Sequence, residues 1–124
     1  MPHERPEAAT LADMQQAAST VLRYIAGKSR EDYEQEELLR HAVERNIEII
    51  GEAARRLPPA FRDGHPEIPW RAIMATRHIL AHEYDAVDND IVWRIATQHV
   101  PELLEHLIVL IPPPPPDPEP GETR

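Results

Sequence analysis

The spacing of residues between Leu39 and Leu57 limits this chain more than any other feature. Leu39, Val43, Asn46, Ile50, Ala53 and Leu57 follow one another at alternating intervals of four and three. Such a seam lies along one side of an α-helix and has no counterpart in a strand, whose faces alternate with period two. It predicts a long helix from about Glu34 to Leu57, ended by Pro58 and Pro59. Asn46 sits on the seam, where a polar residue can fix register or an interface. The rest of the chain reads the same way. Leu11, Met14, Ala18, Val21, Leu22 and Ile25 make one face of a first helix, and Gly27 stops it. A third helix is expected from Trp70 to about Tyr84. Asp88 to Asp90 offer a cap and an acidic first turn to a fourth, which Pro101 breaks or kinks. No stretch alternates with period two, so the fold class is all-α, an up-and-down bundle of four to five helices.

The 124 residues suffice for one domain and not two. Seven of the 14 prolines fall between Pro112 and Pro120, in a stretch with no larger apolar residue. Such a stretch buries too little to offset its ordering entropy. Residues 112–124 are therefore expected to be a disordered, acidic, proline-rich tail, and 8–111 the folded domain. The N-terminus MPHERPEAAT has no apolar h-region, and the apolar run Leu107 to Ile111 is far too short to span a membrane. A cytoplasmic protein without membrane attachment is the expectation. There is no cysteine, which excludes disulfides, zinc-thiolate sites and thiol catalysis.

Helical bundles often hold metals, and this one lacks the patterns for it. No histidine follows an acid by three residues, and there is no H-E-x-x-H, P-loop or G-x-G-x-x-G. No metal and no cofactor are expected. Glu44, Glu48 and Glu52 form an i, i+4 ladder, which reads first as a solvated face and second as a carboxylate facing an arginine.

The net charge of −9 speaks against nucleic acid as a partner. One window departs from it. From Ile68 to His82 there is no acid, and Arg71 and Arg77 give it +2 before His78 and His82 are counted. A local basic patch can hold a phosphate in an acidic protein. Just past its end, after Glu83, stands Tyr84, so that Arg77, His82 and Tyr84 spell R-x4-H-x-Y.

At this motif the chain resembles the HepT-like toxins of the HEPN superfamily. The likeness extends to the stretch from Ala42 to Ala54, to Ile68-Pro69-Trp70 before the motif helix, and to Val87-Asp88 and Val92-Trp93 after it. It covers most of residues 8–111. The resemblance implies a HEPN-like bundle that homodimerises with the motifs of both subunits at one cleft. It implies a metal-independent endoribonuclease acting as the toxin of a toxin–antitoxin pair. It also implies a partner nucleotidyltransferase antitoxin of the MNT type that adds AMP to the motif tyrosine. Carried over, Arg77 and His82 would be catalytic and Tyr84 the modified hydroxyl. The residue after the motif arginine is commonly a small polar one such as asparagine. Here it is His78, which adds a second titrating group.

The residue types suit those roles. RNA cleavage without metal uses the ribose 2′-OH as nucleophile, and needs a base, an acid and positive charge on the phosphorane. Histidine serves as either base or acid near neutral pH, and arginine presents a fixed charged fork to two phosphate oxygens. His78, Arg71 and Arg94 are candidate RNA or phosphate contacts; Glu52 and Asn46 are candidate supporting residues. On an ideal helix Arg77 and His82 differ by about 140° and do not share a face, whereas His78 and His82 do. Trp70 and Trp93 read as core or interface anchors. The alternative reading is a non-catalytic module that binds nucleotide or a partner protein through the same patch.

Overall fold

The computed structural model describes residues 7–82, 85 and 87–111. Tyr84 and the proline-rich tail lie outside the described residues. All regular structure among the described residues is helical.

Helix α1, Glu7–Ile25, buries Thr10, Leu11, Met14, Ala17, Ala18 and Val21 on one face. Gly27 ends it as expected: its φ of 75° is the left-handed geometry that only glycine adopts without a Cβ penalty. The next helix starts earlier than the apolar spacing predicts and is divided in two. A reciprocal capping box, Ser29 with Asp32, nucleates α2, Arg30–Gln35. Extended backbone at Glu36 then separates it from α3, Glu37–Arg56. Helix α2 is tied to a later segment, α6 (Asn89–Arg94), by Tyr33 stacked on Trp93 at 5.4 Å and by an Arg30–Asp90 ion pair.

Helix α3 buries Leu39, Val43, Ile47, Ile50, Gly51, Ala53 and Ala54. Ile47, not Asn46, fills the step between Val43 and Ile50. Asn46 is half-buried and its side-chain amide donates to the Ala42 carbonyl of its own helix at 2.9 Å. Past Pro58, a short helix α4, Pro59–Asp63, returns Arg62 to the end of α3. Its guanidinium donates to the Ala54 and Leu57 carbonyls at 2.9 and 3.2 Å, adding to the Leu57 N–H that the Ala54 carbonyl already accepts at the helix end.

The Trp70 indole N–H donates to His65 O at 3.0 Å and anchors the start of α5, Trp70–His82. Asp88 caps α6, as expected, by accepting from Asp90 N. Pro101 does not break the final helix. A π-helical turn, Ile95–His99, joins α6 to α7, Val100–Leu110, and places Pro101 in the first turn of α7. The widened turn admits a proline ring that would otherwise press on the carbonyl four residues back.

Helix α1 packs on α3 and α7, and α3 packs on α5. The long helices of the expected bundle are all present, with α2 and α4 as short additions. The core lies between α1, α3 and the α6–α7 arm, with α5 applied to the outside of α3. No described helix is long and apolar enough to cross a membrane.

Candidate functional site

Helix α5 carries most of the expected site, and its residues face two ways. Arg71, His78 and His82 are exposed on its outer side. The rings of His78 and His82 are 4.9 Å apart and tilted by 52°. This is the pair that the i, i+4 spacing predicts. Arg77 is turned away from them. It is half-buried, its stem lies on α3 at Gly51, and its Nε is buried with no hydrogen-bond partner. The structure thus keeps Arg77 and His82 on different sides of one helix, as the 140° separation requires.

The contact between Arg77 and Gly51 is close. A methyl group built on Gly51 would overlap Arg77 Cβ and lie 2.9 Å from Cγ and 3.0 Å from the Ile73 carbonyl. Sequence reasoning gave Gly51 no role. The available signal was a glycine inside a helix, which costs about 1 kcal/mol relative to alanine and calls for a compensating reason.

Glu52 and Asn46 are not beside Arg77. Both line a polar cleft of about 520 Å³ between α1 and α3, with Asp13, Thr20, Arg45 and Arg56. Glu52 is ion-paired to Arg56 at 3.0 Å, one turn along its own helix. The cause is angular: Glu52 is one residue, about 100°, round the helix from Gly51. Nor is the acidic ladder simply solvated. Glu48 pairs with Arg45, and all three carboxylates are half-buried. Burial pushes the Glu44 carboxyl up from its ordinary value, against the opposing pull of His41 and Arg40. Arg94 is exposed at the end of α6, on a separate element from the α5 pair.

On its other flank α5 borders an apolar groove of about 320 Å³, walled by Ile50 and Ile73 near Arg77 and by Ile95, Val100 and Leu103 across it. Thr76, His99 and His106 add polar groups to it. The groove exists because α5 packs on α3 and leaves space toward α7. Ile79, next to Thr76 on α5, is 42% exposed. No cluster of three or more metal-ligating side chains occurs among the described residues.

Comparison with known proteins identifies the family. The family described as "Ribonuclease HepT-like" matches residues 14–110. A protein of Caldanaerobacter subterraneus subsp. tengcongensis whose name proposes an RNase is 38% identical over 88 residues, 71% of this chain and 79% of that protein. Another of Methanocaldococcus jannaschii, also named for a proposed RNase activity, is 30% identical over 107 residues, 86% of this chain and 98% of that protein. A protein of Thermococcus cleftensis named "Probable ribonuclease HepT" is 34% identical over 93 residues, 75% of this chain and 84% of that protein. No solved structure matches. With a family match over most of its length and a motif helix displaying His78 and His82, the chain belongs to the HepT-like ribonuclease family.

Proposed function

We propose that this chain is the toxin of a toxin–antitoxin pair, an endoribonuclease that needs no metal ion. The observation that carries this is the placement of His82, exposed at the end of α5 beside His78, in the acid-free window of a HepT-like chain. An exposed imidazole at a helix end can take the proton of a ribose 2′-OH as its oxygen attacks phosphorus. A second imidazole can protonate the 5′-oxygen as the P–O5′ bond breaks, leaving a 2′,3′-cyclic phosphate and a free 5′-hydroxyl. Arg77 would lend its guanidinium to the charge that builds on the phosphorane. His78, Arg71 and Arg94 would contact the phosphates on either side.

Arg77 and His82 face apart within one subunit. Two copies about a two-fold axis would let the histidine of one act with the arginine of the other in a shared cleft. The open groove and exposed Ile79 beside the motif give such a homodimer apolar surface to cover. Tyr84, outside the described residues, would be the hydroxyl that a nucleotidyltransferase antitoxin of the MNT type AMPylates, placing a bulky anion two residues from His82 and silencing it.

The test is cleavage of a fluorogenic RNA in EDTA by the wild type, Arg77→Ala and His82→Ala. Both variants should lose about 10²–10⁴-fold in rate. A wild type that cuts no RNA, or cuts no faster than His82→Ala, would leave only a binding module for nucleotide or protein. For the antitoxin, an AMP-sized mass gain after incubation with the transferase and ATP should vanish in Tyr84→Phe. A gain that survives there removes Tyr84 from the account.

A further inference from the structure

Gly51 occupies the middle of α3 with ordinary helical backbone; the positive-φ glycine among the described residues is Gly27. Conformational freedom therefore does not explain it, since any residue adopts the φ of Gly51. What it lacks is a Cβ. The space a Cβ would take is filled by Arg77: overlap at Cβ, 2.9 Å at Cγ, with the Ile73 carbonyl at 3.0 Å one turn back along α5. The obstruction is the rigid first part of the side chain and a main-chain oxygen, neither of which can swing aside.

A second observation bears on the same side chain. Arg77 Nε is buried and makes no hydrogen bond. No hydrogen bond at Nε holds the guanidinium in place. Its direction is set by where its stem lies, and its stem lies in the notch that Gly51 leaves. A buried N–H without a partner is costly, so the arrangement persists against a penalty that looser packing of α5 would relieve by admitting water.

We infer that Gly51 is the positioning residue for Arg77, fixing from the neighbouring helix the line along which the guanidinium leaves α5. For its consequence in catalysis this rests on the ribonuclease reading; for its geometry it does not. A methyl group at 51 moves α5 away from α3 and turns the guanidinium. The histidine pair, exposed on another face of α5, keeps its spacing. The effect should therefore resemble a partial loss of Arg77, expressed in kcat with KM little changed.

The experiment uses Gly51→Ala in the full chain, with two readouts. The first is cleavage of the fluorogenic RNA, alone and combined with Arg77→Ala. A loss of about 10²-fold in kcat is expected from the single change, and little further loss on adding it to Arg77→Ala. The second needs no activity: hydrogen exchange of the Arg77 Nε–H by 15N NMR, its peak assigned by its absence in Arg77→Lys. That proton should exchange slowly in the wild type and much faster in Gly51→Ala. Unchanged exchange with undiminished cleavage overturns the inference, as does a loss that adds fully to that of Arg77→Ala. Inactive wild-type protein with accelerated exchange would retain the positioning and discard the ribonuclease. If Gly51→Ala does not fold, Gly51→Ala with Arg77→Gly decides. With Arg77→Gly alone as the reference, a folded double variant ties the obstruction to Arg77, and a double variant that unfolds where Arg77→Gly folds assigns it to the Ile73 backbone and overturns the inference.

Discussion

Helices α3 and α5 lie against each other and are built on opposite terms. Along α3 a buried residue recurs at nearly every turn from Leu39 to Ala54. Along α5 only Trp70 and Leu80 are buried, and Arg71, His78, Ile79 and His82 stand exposed. The helix that holds the bundle together carries little that reacts. The helix that carries the candidate site packs chiefly on α3, with Phe61 and Arg62 of α4 touching Trp70 and Met74 near its start. Side chains meant to meet a large ligand must stay out of the core, and their positioning must come from a partner that is itself immovable. Gly51 is where that dependence is most visible.

The sharpest way to break the comparison is to change each helix and read both stability and rate. His82→Ala should remove about 10²–10⁴-fold of cleavage while leaving the melting temperature nearly unmoved, because the ring is exposed. A large drop in melting temperature would mean that α5 is structural after all. Ile47→Ala on α3 should do the reverse, destabilising by about 2–5 kcal/mol by denaturant titration. A cost well under 1 kcal/mol would show that the α3 face is not the core.

Legibility in the sequence follows the same division. The seam of α3, the stop at Gly27 and the cap at Asp88 depend on local spacing and local turn chemistry, and could be read directly. So could the facing of His78 and His82 and the turning away of Arg77. The seam also misled: between Val43 and Ile50 either Asn46 or Ile47 satisfies a three-four rhythm, and only packing selects Ile47. The division at Glu36 was missed because α2 has almost no apolar period, although its Ser29–Asp32 capping box was there to be read. Contact between Gly51 and Arg77 could not be read at all. It joins residues on different helices, and nothing local says which face of α5 meets which face of α3.

Two smaller predictions sharpen the account of α3 and its neighbours. Tyr33 is fully buried, its hydroxyl has no hydrogen-bond partner, and burial holds its ionisation far above the ordinary range. Tyr33→Phe should therefore stabilise the protein, by about 1 kcal/mol, with the stack on Trp93 intact. Destabilisation would mean that the hydroxyl is satisfied in solution. The smallest effect belongs to Glu44, whose carboxyl burial raises above its unfolded value. Folding then favours its protonated form, so its contribution to stability is present at acid pH and lost as pH rises through the raised value. Glu44→Gln should raise the melting temperature by about 1–3 °C at neutral pH, and the gain should shrink toward the pH at which Glu44 is protonated in both states. An equal gain at every pH would point to the amide's own contacts.

The π-helical turn has a consequence for the chain's tolerance of length. Val92, Ala96 and Val100 are all buried and stand four residues apart twice over. On a regular α-helix that spacing carries the third only about 80° from the first, still within one apolar face with Leu103 and Leu107, and the π-helical turn between them holds one residue more than an α-helical turn would. Loss of the exposed Gln98 would therefore regularise the coil and leave the inward face of α7 in step. The α6–α7 arm can shed one residue at this point, altering where His99 stands on the rim of the groove without turning the core inside out.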